Sequence, residues 1–179
     1  TSERRISLNT TQFIASCLDY EQKWLLEEVT GLTSEQLGWK PTLKANHIGW
    51  IVWHMFRVED FWIQFFIQAK LELWESNGWY QKLNLPTRDT GFQHSIEQVA
   101  DFPNIDLDVL LQYGCEVRSA TSAYLSGLIP SQYLAVPRSS RPEMTIGEVF
   151  RQITGEFYQH LGHISYIKGL MTDDEILTV

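Results

Sequence analysis

The sequence predicts an all-α protein built as a four-helix bundle. Apolar residues recur at helical intervals in four long segments, and capping residues precede these segments. No convincing pair of alternating strands accompanies them. Long connections are expected between helices two and three and between helices three and four, as in several known bundles. The 179 residues are expected to form one domain covering 1–179, since domains typically contain roughly 100–200 residues.

The first two predicted helices lie in the N-terminal part of the chain. Helix one follows the N-capping residues Asn9, Thr10 and Thr11 and ends at about Gly31. Residues 33–36 predict one short helical turn. Helix two is predicted for about 46–70, where apolar residues form a broad stripe, and is therefore expected to be central.

The second half of the chain predicts two more helices and both long connections. Glycines and prolines with weak periodicity predict a connection over 71–104 that contains one short helix at about 95–100. Helix three is predicted for about 106–127, and a second connection, extended in part at 133–136, for 128–143. Thr145 and Glu148 predict a capping box at the start of helix four, which reaches about residue 170. The acidic residues at 173–175 are expected to form a solvated tail.

Charge and composition exclude several classes of partner. The 14 Lys and Arg residues against 22 Asp and Glu residues give a net charge of −8, which opposes binding to nucleic acid. No segment contains the roughly 18 uninterrupted apolar residues of a membrane span. Two cysteines, Cys17 and Cys115, and an N-terminus unlike a signal peptide favour a cytoplasmic location.

Two sets of large side chains allow a structural and a functional interpretation. The aromatic content is 13%, and the tryptophans are expected in the core, with an aromatic ligand pocket as the alternative. Three arginines are expected to be solvated at the surface, with a clamp for an acidic substrate as the alternative. The tryptophans are Trp50, Trp53, Trp62, Trp74 and Trp79, and the arginines are Arg57, Arg138 and Arg141.

The histidines suggest a metal site. Four of the five, His47, His54, His160 and His163, fall on the two most apolar predicted helices. Glu156 precedes His160 by one helical turn, so both side chains project from one face and can bind one divalent ion. His54, in the middle of helix two, can supply the third ligand and leave a coordination position open. The alternative for each histidine is a hydrogen-bonded place in the core.

Two segments resemble the signature helices of the DinB-like superfamily, also known as the YfiT-like metal-dependent hydrolases, which includes the mycothiol-dependent maleylpyruvate isomerases. Residues 46–62 read NHIGWIVWHMFRVEDFW, and residues 145–169 read TIGEVFRQITGEFYQHLGHISYIKG. The resemblance implies a bundle with a Zn or Ni site between helices, often in a homodimer. His54 and His160 fall on two family histidines. Glu156 stands where many members have histidine but where the thiol-dependent branch has glutamate, and His163 stands where many have glutamine.

Three classes of function follow from these residues. The first is a divalent-metal-dependent enzyme acting on a small molecule, either a transferase or isomerase that uses a low-molecular-weight thiol, or a hydrolase with the same ligands, His54, Glu156 and His160. The thiol would come from a cofactor, because Cys17 and Cys115 are distant from these ligands. His163 would be a general base or a wall residue of the pocket. The second class is a non-catalytic metal- or ligand-binding bundle, such as a stress sensor, and the third is a dimerisation module without metal.

Overall fold

The computed structural model describes residues 8–171, so the acidic residues at 173–175 lie outside the described part of the chain. Within residues 8–171 there is no strand, and the all-α class is confirmed. Eight α-helices are present in this range. In chain order they are α1 (Thr10–Val29), α2 (Ser34–Gly38), α3 (Ile48–Asp60), α4 (Leu73–Ser76), α5 (Trp79–Lys82), α6 (Ile96–Ala100), α7 (Leu107–Ser126) and α8 (Ile146–Met171).

The four long helices occupy the predicted segments, and local capping residues explain their starts. Asn9 forms a capping box with Gln12 at α1, and Asp106 accepts from the backbone at the start of α7. His47 is the buried N-cap of α3, where its Nδ1 accepts from the Trp50 N–H. At α8 the Thr145 hydroxyl accepts from the Glu148 N–H.

Two connections differ from the prediction. The segment at 71–104 contains three short helices, α4, α5 and α6, instead of one. The start of α4 is stabilised by the Asp60 carboxylate, which accepts from the Leu73 and Trp74 N–H groups. The expected extended stretch at 133–136 is wrong at Tyr133 and Leu134, which belong to the 3₁₀ helix Pro130–Leu134, whereas the Ala135 backbone is extended. Pro130 at its first turn presets a helical φ.

The last part of predicted helix two is a π-helix rather than an α-helix. Phe61–Ile67 continues α3 with the wider π turn. Such segments occur frequently at functional sites. This one carries four aromatic side chains, Phe61, Trp62, Phe65 and Phe66.

The long helices pack in a ring, with α1 against α7 and α8, and α3 against α7 and α8. The core between them holds large apolar side chains such as Trp53, Phe150 and Phe157. Because α3 and α8 are in direct contact, the histidines of the two helices can meet. None of the helices in the described part of the chain combines the length and apolar character needed to cross a bilayer. The expected homodimer, the cytoplasmic location and the single-domain organisation stay predictions.

One buried arginine connects all four long helices. Arg118 of α7 forms ion pairs with Glu59 of α3, at 3.0 Å, and with Glu21 of α1, at 3.9 Å. Its guanidinium also lies 4.7 Å from the ring centroid of Phe157 on α8. One cation therefore faces two buried carboxyl groups. Burial raises the pKa of Glu21 to about 8, against the opposing attraction of Arg118.

The protonated state of Glu21 predicts a pH-dependent stability. Unfolded Glu21 ionises near 4.5, whereas native Glu21 keeps its proton up to about 8, so the native state binds more protons between these values and stability falls as pH rises. Urea unfolding at pH 5 and pH 8 should show that Glu21→Gln loses less stability than the wild type over this interval, by about 1.4 kcal/mol or more. Asp19→Asn, an exposed change on the same helix, should leave the wild-type slope. Parallel profiles for Glu21→Gln and the wild type would contradict the assignment.

Candidate metal centre

The structure brings His54, Glu156 and His160 together at the contact between α3 and α8. Each offers one ligand atom, and the three atoms lie within 4.8 Å of one another. The His54 and His160 rings are 5.1 Å apart at 85°, and Glu156 Oε2 lies 3.2 Å from His160 Nε2. Among residues 8–171 this is the one group of three or more His, Cys, Asp or Glu side chains with such a spacing. The predicted proximity of the three residues is therefore present, and their role as metal ligands stays a prediction.

The ring of His54 is held from both sides. Its Nδ1 donates to the Thr90 carbonyl, and the Trp50 ring stacks on it at 4.9 Å and 12°. With the proton on Nδ1, the lone pair of Nε2 remains available to an ion. Burial lowers the pKa of His54, which favours the neutral imidazole that metal binding requires.

The chain around Thr90 is attached to α3 by several polar contacts. The Asp89 carbonyl accepts from Arg57 Nε at 2.9 Å, and the Asp89 carboxylate accepts from the Gly91 N–H at 2.8 Å. That carboxylate also pairs with His94 Nε2 at 2.8 Å, while Trp50 Nε1 donates to His94 Nδ1 at 3.1 Å. Arg57 itself is wholly buried, so the expectation that its side chain is solvated at the surface is wrong.

Sequence reasoning missed this support for His54. Thr90 contributes a backbone carbonyl, which leaves no signal in the residue type. Asp89 and His94 lie in a segment of weak periodicity, and their contacts reach across 30 residues or more to α3. Gly91 offered the one usable signal, since its φ of +79° is a conformation that glycine adopts without steric cost.

Glu156 and His160 lie one turn apart on α8. Gln152 Nε2 donates to Glu156 Oε1 at 2.9 Å, one turn earlier on the same helix. The interaction with His160 lowers the pKa of Glu156, so its carboxylate is ionised at neutral pH. His160 is buried, and its Nδ1 has no hydrogen-bond partner among the described residues.

The other candidate residues lie outside this group. His163 is exposed, and its ring packs 5.4 Å from that of His160. His47 caps the N-terminus of α3, whereas His54 lies in the middle of that helix. Cys17 and Cys115 are free thiols, the first half-buried and the second exposed, and neither joins the group.

A cavity of about 660 Å³ opens beside His54 and Glu156. Its volume falls within the range of small-molecule sites, roughly 300–1,000 Å³. Of the five tryptophans considered above, Trp62 lines this cavity, whereas the other four are buried in the core. The core interpretation is correct for those four, whereas for Trp62 a ligand pocket stays a prediction.

Comparisons with known proteins agree with this helical fold. The family model described as the DinB superfamily matches residues 18–164, so the chain belongs to the DinB superfamily. A crystal structure described as that of a conserved protein from Enterococcus faecalis superposes with a TM-score of 0.82. It covers 94% of this chain and 100% of its own at 21% identity, and therefore shares the fold. A search of curated proteins finds no match.

The close approach of Gly91 to α3 predicts that a methyl group there disturbs His54. A Cβ at Gly91 would lie 2.8 Å from the Trp50 ring, 2.9 Å from the Trp53 ring and 3.1 Å from His54 Nδ1. Gly91→Ala should therefore displace the Thr90 carbonyl and weaken the Nδ1–H tautomer, as measured by the imidazole ¹⁵N shifts of His54. It should also cost about 1–3 kcal/mol of stability in addition to the backbone strain.

Gly78→Ala is the matched control, because Gly78 also has a positive φ, +70°, but its nearest neighbour would be a flexible glutamine oxygen at 3.5 Å. This variant should lose only the stability that corresponds to the backbone strain, and His54 should keep its tautomer. The same His54 spectrum in both variants would show that Thr90 does not position this ring.

Proposed function

We propose that this chain is a divalent-metal-dependent enzyme of the DinB superfamily, built on the four-helix bundle of that family, with His54, Glu156 and His160 as the metal ligands. The observation that carries the proposal is the convergence of three ligand atoms from two helices within 4.8 Å at the wall of a cavity. A buried site of this kind on rigid helices is suited to holding an ion while leaving a position for a small molecule.

The donor set fits a zinc or nickel ion. Imidazole nitrogen suits both metals, and one carboxylate adds a negative charge. His54 already carries its proton on the nitrogen that donates to Thr90, which is the usual arrangement beside a metal-binding imidazole. The buried Nδ1 of His160 without a partner is a further polar atom that the protein alone leaves unsatisfied.

The reaction we favour is thiol transfer or isomerisation with a low-molecular-weight thiol. A bound divalent ion would lower the pKa of a coordinated thiol or water and so supply a nucleophile at neutral pH. The thiol is assigned to a small cofactor because neither Cys17 nor Cys115 joins the site. Hydrolysis is the second candidate, because the same three residues serve it.

The surrounding residues would orient the metal ligands and would not react themselves. Thr90 and Trp50 fix the His54 ring, and the Gln152 amide fixes one carboxylate oxygen of Glu156. His163 is exposed one turn further along α8, with its ring 5.4 Å from that of His160, and its role as a base stays a prediction.

Zinc titration of four variants tests the ligand set. His54→Ala and His160→Ala should lose the ion and keep their helix content, because the apolar core between the helices does not depend on metal. Glu156→Gln should bind Zn²⁺ more than about 100-fold more weakly, since even an outer partner of a metal ligand contributes about 10–100-fold. Glu156→His should retain binding, because imidazole replaces carboxylate at the same helical position. Elemental analysis, calorimetry and circular dichroism measure these outcomes.

His163→Ala is the control for these titrations, because it removes a neighbouring imidazole that is exposed and outside the group. Its affinity should match the wild type. Wild-type affinity in Glu156→Gln together with a loss in His163→Ala would replace Glu156 by His163 in the ligand set. Unfolding of both alanine variants at unchanged metal content would make His54 and His160 core residues.

An activity assay separates the enzyme classes. Zinc- or nickel-loaded protein should accelerate the addition of a small thiol to 2,4-dinitrochlorobenzene, in which a carbon–sulfur bond forms, chloride leaves and the thiol proton passes to solvent. Metal-free protein and His160→Ala should be inactive with glutathione, cysteine and coenzyme A alike. Turnover of esters or amides without thiol would favour the hydrolase. A stoichiometric ion with neither activity would favour a non-catalytic binding bundle.

A further inference from the structure

We infer that the cavity beside His54 and Glu156 is a site for an uncharged aromatic ring, so that the substrate of the proposed enzyme carries such a ring. The inference rests on the proposed function only in treating the cavity as the substrate site. Ring binding itself depends on the cavity walls, which are present without metal. The walls, their attachment and their charges each support it.

One wall is the π-helical segment that follows α3. Phe61, Trp62 and Phe65 all line the cavity. The ring centroids of Phe61 and Phe65 lie 5.4 Å apart, and Trp62 stands at 74° to Phe61, also at 5.4 Å. These are the spacings of interacting aromatic pairs. The three rings therefore form one continuous aromatic wall of the cavity.

A fourth aromatic side chain of the cavity comes from the connection that supports His54. Phe92 lines the cavity two residues after Thr90, and 75% of its surface is exposed. Phe65 on the first wall is 48% exposed, and Leu71 near it 64%. Exposed large apolar side chains that converge on one cavity are typical of a ligand groove. A ring bound between Phe65 and Phe92 would remove this surface from water.

The π-helical wall is fixed in place from the other long connection. Arg138 Nε donates to the Phe66 carbonyl at 2.9 Å, and its guanidinium lies 5.3 Å from the Phe65 ring centroid. Arg138 is thus half-buried against the end of the segment and is not the solvated arginine expected from the sequence. A preformed wall costs little ordering when a ligand binds.

The charges around the cavity favour an uncharged ring. Glu72 pairs with Arg57, Arg88 pairs with Glu75 at 3.4 Å, and Arg141 pairs with Glu143 at 3.8 Å. Glu156 pairs with His160. The two arginines that line the cavity, Arg88 and Arg141, therefore each have a carboxylate partner in the described part of the chain, so neither is left to bind an anionic ligand.

Two alcohols that differ only in ring saturation test the inference on metal-free protein. Benzyl alcohol should bind about threefold to tenfold more tightly than cyclohexylmethanol, since aromatic pairing adds to simple burial. Burial alone predicts the reverse order, because the saturated ring is the more hydrophobic. Ligand-observed NMR titration gives both dissociation constants.

Three variants locate the preference. Trp62→Leu and Phe92→Leu should each reduce it at least twofold, and Phe92→Leu cannot fail merely by unfolding the protein, since its side chain is largely exposed. Phe13→Leu, a 59% exposed ring on α1 away from the cavity, should leave it unchanged. Equal or reversed affinities, no binding of either alcohol, or a preference that survives both cavity variants would overturn the inference. Because no metal is present, such a failure is distinct from a failure of the zinc titrations.

Discussion

The buried guanidinium of Arg57 is the interaction on which the site depends. It donates to the Asp89 carbonyl and to the Tyr113 hydroxyl, and it pairs with Asp60 and Glu72. A buried charge is tolerated only when such partners compensate its desolvation, and removing one of them leaves a costly unpaired group. The partners of Arg57 come from α3, α7 and the connection after the π-helix. These contacts hold the connection in one position relative to α3. As a consequence, the Thr90 carbonyl lies against His54.

The ligand candidates could be predicted from the sequence because they depend on local geometry. Glu156 and His160 share a helix face through their spacing alone. The apolar stripe that contains His54 requires that helix to be central, where it contacts α8. The family resemblance places the same three residues. The long helices were predictable for the same reason, since caps and periodicity lie within a few residues of each other.

The supporting parts could not be predicted, because they depend on contacts between distant residues. Asp60 caps α4 from another helix, so the sequence at 71–104 contains no local signal for that helix. Arg57 resembles any helical arginine until its partners are known. The π-helix at Phe61–Ile67 likewise contains residues that suit an α-helix. Tertiary contacts decided the first two of these features, and local propensity did not.

The helices and the long connections thus contribute different parts of the site. The helices α3 and α8 carry the ligand candidates, and their packing in the core fixes the distances between them. The two long connections supply the supports and part of the walls, Thr90 and Phe92 from the first, Arg138 and Met144 from the second. Changes in the connections would therefore alter the shape of the cavity without moving His54, Glu156 and His160 apart, except where they displace Thr90. A site on packed helices can in this way accept different small molecules while the geometry of its three ligand candidates stays the same.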